Sequence, residues 1–334
     1  MIKALVPFSG GLDSILVVKI LEEQGVKVTG LSFDSYFFDS REAKKTADRL
    51  GIELLIKDIS EKQLEKVKNP RYGHGSALNP CIDCHGLMFQ IAGELAGLVK
   101  RKNEFDLVAT GEVLGQRPFS QNKEALRKVE KLAGVEILRP LSAKLLPETI
   151  YEKEKLVNRK KLLDISGKSR KRQLELVKKY GIEYFPSPAG GCRLTENEFG
   201  IKVKKLLDND GQMRKLGRVD FELLRTGRHY WLGQDMKKKQ QVAKEKGERI
   251  KKNHIILGKN YEENERLKKF AQKKDGLLEL KDLMGPTALL IDYANLSLEE
   301  QEQVLKKGKE LVLERAKNPE GKKVMEVRWS IFGD

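Results

Sequence analysis

Cysteine is scarce in this chain: 334 residues hold only Cys81, Cys84 and Cys192. An odd, small number excludes a disulfide framework and leaves metal binding, redox chemistry or inert burial. Long apolar runs are also lacking. No stretch approaches the roughly 20 residues that a membrane-spanning helix needs. The apolar start, Ile2–Phe8, is short and runs into a Ser-Gly-Gly turn instead of a small-residue cleavage site. It reads as a buried first strand, not a signal peptide. The expectation is a cytoplasmic protein with no membrane partner. Hydrophobic residues reach only 39%, which still suffices for a core at this length. Repeats and low-complexity blocks are absent, and Pro and Gly are not concentrated enough to mark disorder.

Acidic residues are the minority among the charges. Lys and Arg number 65 against 49 Asp and Glu, for a net charge of +16. Such a surplus favours polyanionic partners. A heat-adapted surface would enrich both signs, and here one sign prevails.

The length suggests two domains. In the first half, strands are predicted at Ile2–Phe8, Lys27–Phe33, Glu53–Asp58 and Asp106–Thr110. Helices are predicted at Ser14–Gln24, Ser40–Leu50 and Leu87–Lys100. This alternation implies an α/β fold, a parallel sheet with helices on both faces, with ligands at the carboxyl ends of its strands. Phe199–Leu207 reads as a helix, and the Gly/Asp/Asn-rich residues 208–217 as a linker. Beyond it lies an α+β module. Its strands are predicted at His229–Leu232, His254–Leu257 and Ala288–Asp292, and its charged helices at Gln234–Lys252 and Tyr261–Lys274. A final helix, Ser297–Ala316, opens with Ser297 and Glu300 spaced as a capping box, and a last strand follows at Lys323–Ser330. The expected divisions are 1–207, 208–217, 218–296 and 297–334.

The sharpest short motif is Ser9-Gly10-Gly11-Leu12-Asp13-Ser14, between the first strand and the first helix. Its glycines permit a tight turn and close approach to a ligand. The amides that follow open a helix whose N-terminus favours an anion. Ser9 and Ser14 offer hydroxyls to phosphate oxygens, and Asp13 suits a divalent cation bridging them. The bland alternative is an ordinary serine-capped turn. The loop lacks the Gly-Lys-Ser or Gly-Lys-Thr of a Walker loop. It resembles the pyrophosphate loop of the PP-loop ATP pyrophosphatases, which cleave ATP between the α and β phosphates and pass AMP to a substrate oxygen. That resemblance implies ATP and Mg²⁺ bound over Ser9–Ser14. It also implies that Phe33, at the second strand end, lines the adenine pocket, and that Thr110 and Gly111 contact the nucleotide. Phe33 is equally at home in a core.

Asn79-Pro80-Cys81-Ile82-Asp83-Cys84-His85 places two thiols before a predicted helix, and Gly190-Gly191-Cys192 presents a third. The pre-helix position and nearby positive groups favour thiolate. The three thiols admit four chemistries. They could hold a [4Fe–4S] cluster with one iron open. Cys192 and Cys84 could exchange a persulfide. All three could join His85 or His74 at a zinc ion. Or they could be small buried hydrophobes. Asp83, between two thiols, is a candidate general acid/base or a helix cap.

These cysteine segments, with the run Thr110–Gln121 (Thr-Gly-Glu-Val-Leu-Gly-Gln-Arg-Pro-Phe-Ser-Gln), are similar to tRNA thiouridine synthases. The Asn-Pro-Cys-x-x-Cys-His segment is similar to the 2-thiouridine synthases, and the Thr-Gly-Glu run to the 4-thiouridine synthases. The resemblance spans about Met1–Leu207. It implies an ATP-dependent tRNA sulfurtransferase, with tRNA and a sulfur donor (sulfide or a persulfide carrier) as partners and Cys81, Cys84 and Cys192 as catalytic and cluster-holding residues. A homodimer stays open. The chain departs from both relatives. Its loop starts at Ser9, so the tRNA-binding domain that precedes the loop in the 4-thiouridine synthases is not expected, and no spare cysteines supply the paired zinc fingers of the cluster-dependent 2-thiouridine synthases.

The segments Gly227–Gly233 and Leu257–Leu267, with Gly285-Pro286-Thr287, resemble the RNA-binding domain of the NFACT proteins over about Arg218–Asn295. This implies an RNA-holding module. The Lys/Arg-rich stretch from Lys237 to Lys252 would supply phosphate contacts, and exposed Tyr230 and Trp231 would stack on bases, unless both aromatics are core. Two other classes fit parts of the pattern: a PP-loop enzyme acting on a small molecule, and an RNA quality-control module with an inactive nucleotide fold.

Overall fold

Four strands lie side by side, all parallel: β1 (Lys3–Pro7), β2 (Lys27–Asp34), β3 (Glu53–Asp58) and β4 (Leu107–Val108), in the order β3-β2-β1-β4. The computed structural model describes residues 1–98, 104–187, 191–208, 215–232, 253–281, 283–316 and 326–333. The chain divides into two compact units, Met1–Gly200 and Ile201–Asp334.

In the first unit, β1 sends alternate side chains to opposite faces, as pleating requires. Ala4, Val6 and Phe8 enter one core and Leu5 the other. The first core is closed by α1 (Leu12–Glu22), which is apolar nearly all round, and by α2 (Arg41–Leu50). After α3 (Ser60–Lys68), the second core is closed by α4 (Cys81–Leu95) and α5 (Lys123–Ala133). Asn122 caps α5 by accepting the Ala125 amide at 2.9 Å. The short α6 (Ile150–Lys153) is followed by α7 (Lys171–Lys179), whose Leu176 and Val177 pack onto the first core. The chain runs from β1 to β2 to β3 on one side, then returns to place β4 on β1's other edge. The crevice between β1 and β4 is therefore the topological switch point, where such sheets bind ligands.

The α/β reading thus describes this unit. Four helices of this unit had no clear sequence signal: α3, α5, α6 and α7. The helix carrying the cysteines begins at Cys81, not Leu87, so the C-x-x-C forms its first turn.

The helix α8 (Asn197–Leu207) carries the division between the units, and α9 (Arg218–Leu223) follows it. The second unit is an antiparallel five-stranded sheet. Its strands are β5 (Arg228–Trp231), β6 (His254–Leu257), β7 (Gly276–Leu280), β8 (Ala288–Leu290) and β9 (Val327–Ile331), in the order β5-β6-β8-β7-β9. The helix α10 (Tyr261–Phe270) lies on one core through Leu267, and α11 (Leu298–Arg315) on the other through Val304, Leu311 and Val312. The Ser297–Glu300 capping box is present in full. The segment 297–334 is not a separate tail, because β9 pairs with β7 and α11 completes the same core. The helix expected at Gln234–Lys252 lies outside the described residues.

Candidate active site

The phosphate loop is tightly built. Gly10 has φ +76°, and a Cβ there would sit 2.6 Å from the carbonyl oxygen of Glu42. Only glycine fits both the angle and the space. Thr46 Oγ1 donates to the Gly10 carbonyl at 3.2 Å, and Ser14 Oγ to the Gly11 carbonyl at 2.7 Å. Ser9 Oγ accepts the Gly11 amide at 3.3 Å. The two serines therefore hold the turn as well as facing the cavity beyond it. Gly111, just past β4, packs so closely on the loop that a Cβ would lie 2.8 Å from the Ser14 nitrogen.

A cavity of about 570 Å³ opens over this loop. Its lining includes Ser9, Gly11, Asp13, Ser14, Phe33, Thr110 and Gly111, together with Cys81, Cys84 and Cys192. The loop and the three sulfurs thus share one chamber. Gly10 lies behind it, as the turn residue. Phe33 is 6% exposed, facing the cavity while packing with Leu31 and Phe89 in the core.

Two of the sulfurs receive a side-chain hydrogen bond. Gln63 Nε2 donates to Cys84 Sγ at 3.1 Å, and Asn79 Nδ2 to Cys81 Sγ at 3.1 Å. Even so, the expected easy thiolates are not what the site favours. Burial pushes the Cys84 thiol up, with Cys192 and Cys81 adding like charge. Burial also pushes Cys192 up to about 12, against the pull of the Leu194 amide and Arg117. Desolvation outweighs the helix N-terminus at these positions. A bound cation reverses that balance, because it neutralises the buried negative charge.

Asp83 does not line the cavity. Its carboxylate is 2% exposed and accepts the amides of Arg71 at 2.9 Å and Tyr72 at 3.0 Å. The acid–base role suggested by its place in the sequence is corrected here: the carboxylate anchors the approach to α4. Asp13 is crowded as well. Gln116 Nε2 donates to it at 3.1 Å, and Arg170 Nη2 lies 3.8 Å away.

The sequence did not show which side chains pair around the cavity. His85 Nδ1 lies 2.8 Å from Glu112 Oε1, and Arg139 Nε donates to Glu112 Oε2 at 3.1 Å. Burial opposes the charge on Glu112, but Arg139 and His85 more than offset it and hold the carboxyl below its ordinary range. Glu112 sits inside the Thr-Gly-Glu run and His85 inside the Cys-x-x-Cys-His segment, so both were visible though their pairing was not, and Arg139 had no signal. Gln63 and Arg170 come from stretches with no motif.

Among the described residues, no three His, Cys, Asp or Glu side chains stand as a ready-made metal-holding group. No helix there is long and apolar enough to cross a membrane.

A parallel sheet bearing this Gly-rich first turn and a cavity at its switch point has a HUP-type, PP-loop-like fold. Residues 2–132 match the family model described as the tRNA methyl transferase HUP domain. The tRNA-specific 2-thiouridylase MnmA of Treponema denticola is 29% identical over 178 residues, covering 46% of this chain and 48% of that protein. A tRNA-specific 2-thiouridylase of Fusobacterium nucleatum, MnmA 1, is 36% identical over 87 residues, covering 25% and 24%. A solved complex of a 4-thiouridine synthetase with RNA and bound ATP aligns at 24% identity and a TM-score of 0.35, covering 52% of this chain and 50% of that one. The first unit is thus similar to PP-loop tRNA thiouridine synthases, and the chain spans about half or less of these curated relatives.

In the second unit, Trp231 is 8% exposed and stacks on His254, with ring centroids 3.7 Å apart. It is a core residue, not an exposed base-stacking platform. Tyr230 is half-buried and packs against the core that holds Ile255 and Leu257. The motif residue Asn264 is also structural: it donates to the Gly285 carbonyl at 2.9 Å and accepts the Thr287 amide at 3.0 Å.

Proposed function

We propose that the chain is an ATP-dependent tRNA sulfurtransferase that adenylates a uridine carbonyl oxygen and replaces it with sulfur. One observation carries this reading: the phosphate loop and all three cysteines line a single cavity. ATP with Mg²⁺ binds over Ser9–Ser14, where the amides at the start of α1 face the phosphates. Arg117 and Arg170 line the same cavity and offset charge on the polyphosphate. Asp13 is the candidate for the Mg²⁺ side, in exchange for its pairing with Arg170. The uridine oxygen attacks the α-phosphorus, pyrophosphate leaves, and the base carbon becomes electrophilic. A sulfur nucleophile then displaces AMP.

The donor set suits a [4Fe–4S] cluster. Three sulfurs lining one cavity, two of them with an N–H donor, are the kind of ligand such clusters take. Cys81, Cys84 and Cys192 would hold it, and when bound it would supply a site that takes up sulfide. Sulfide or a persulfide carrier provides the sulfur. The second unit, with its NFACT-like elements, is assigned to holding RNA.

The test is anaerobic purification with iron and sulfide analysis, then mass spectrometry of nucleosides from tRNA treated with ATP, Mg²⁺ and sulfide. Thiouridine, AMP and pyrophosphate should form together, and Cys84→Ala should abolish thiouridine. Thiouridine formed from sulfide without iron would remove the need for a cluster, and a parallel reaction given a persulfide donor in place of sulfide tests a cysteine persulfide as the carrier. No thiolated nucleoside from any tRNA would overturn the assignment.

A further inference from the structure

Half of the chain's net positive charge sits in 27 residues of the first unit. Residues 153–179 carry eleven Lys and Arg against Glu154, Asp164 and Glu175, a local excess of +8 out of +16. The segment carries none of the motifs described above, yet its placement is specific. The helix α7 runs beside α1 and reaches both of its ends. At the phosphate-loop end, Arg170 lies 3.8 Å from Asp13, and Gln173 Nε2 donates to Asp13 at 3.5 Å. At the far end, Tyr180 Oη donates to Glu23 at 2.6 Å and Lys179 Nζ at 3.2 Å. Asp13 and Glu23 are ten residues apart on a helix, or about 15 Å. The basic face of α7 therefore leads from the rim of the cavity for that distance.

The face continues. The Asn158 amide donates to Gln24 Oε1 at 2.7 Å, one residue past Glu23, so the turn Arg159–Lys161 adjoins the far end of α7. Gln173, Leu176, Val177 and Tyr180 point inward, buried or half-buried. Lys171 and Lys178 point out, exposed, as do Lys160 and Lys161. None of these four forms an ion pair among the described residues. Arg172 and Lys179, by contrast, are engaged by Asp164 and Glu23. Unpaired lysines in a row gain little from one another and repel; they suit a partner with regularly spaced negative charge.

We propose that this strip, Lys160, Lys161, Lys171 and Lys178, is a docking track for the phosphate backbone of the RNA substrate, leading it to the rim of the cavity. The inference rests on the tRNA reading above and adds the surface that carries the strand. It makes the first unit an RNA-binding element in its own right. Phosphate recognition of this kind positions the strand without reading its sequence.

The test compares the full-length chain with two variants of equal charge loss. One is the strip variant K160Q/K161Q/K171Q/K178Q. The other is K57Q/K62Q/K123Q/K131Q, which removes exposed lysines outside the segment. Binding of an unmodified, fluorescently labelled tRNA transcript is measured by anisotropy across a salt series. The strip variant should bind at least tenfold more weakly near physiological salt. Its slope of log K against log salt should shrink by about 0.7–0.9 for each phosphate no longer neutralised. The control should stay within twofold of wild type. Equal losses in both variants, or none in either, would overturn the track. If wild type thiolates tRNA while the strip variant binds and thiolates as well as the control, the track alone falls. If wild type neither binds nor thiolates tRNA, the functional assignment falls and the track with it.

Discussion

At the scale of single residues, the site depends on positions where no side chain can be accommodated. Gly10 combines φ +76° with a neighbouring backbone oxygen that would lie 2.6 Å from any Cβ. Gly10→Ala should therefore cost about 1–3 kcal/mol and shift the loop that carries Asp13 and Ser14. The expected result is a lower melting temperature together with loss of ATP-dependent pyrophosphate release. Normal pyrophosphate release by this variant would separate the loop from the chemistry. The loop was legible in the sequence because its glycines and serines form a contiguous pattern between a strand and a helix. Gln63 was not legible. It is one glutamine in a charged helical stretch, and only folding brings its amide to Cys84. Asp83 misled for the same reason: its neighbours in sequence are thiols, but its partners in space are the amides of Arg71 and Tyr72.

At the scale of elements, the pair of histidines on β5 and β6 has a pH signature. His229 Nδ1 lies 2.9 Å from His254 Nε2, and burial, with Lys202 and Lys259 nearby, lowers the His229 pKa to about 3. Above the ordinary histidine value His229 is neutral both folded and unfolded. Below it the unfolded chain takes up a proton that the folded unit refuses until about pH 3. Stability is thus complete near neutrality and declines as pH falls, by about 2 kcal/mol between pH 7 and pH 5. Denaturant titrations at the two pH values should show this loss, and His229→Gln should flatten it; an unchanged pH dependence in the variant would exclude His229 as the source. Strands and helices differed in how well they could be read. The apolar runs of β1 and β2 were plain because strands buried on both faces are continuously hydrophobic. The helix α7 was obscured because its lysines outnumber the few residues, such as Leu176 and Val177, that pin it to the core.

At the scale of the whole molecule, each unit closes its own cores: those around Leu5 and Val6 in the first, and those around Leu257 and Ile256 in the second. Calorimetry should accordingly resolve two unfolding transitions, with acidification to pH 5 lowering the one that belongs to the second unit. A single transition that moves as one with pH would show the units to be thermodynamically fused. The first unit's cavity draws its walls from segments as distant as Ser9 and Cys192. During synthesis it cannot be complete until nearly all of that unit has left the ribosome. The stretch from Ile201 to Asp334 then follows, which at about 5–20 residues per second takes on the order of 10 s. For at least that interval a finished pocket with three free thiols is present on a chain still being made, so oxidants and metal donors can reach it during synthesis.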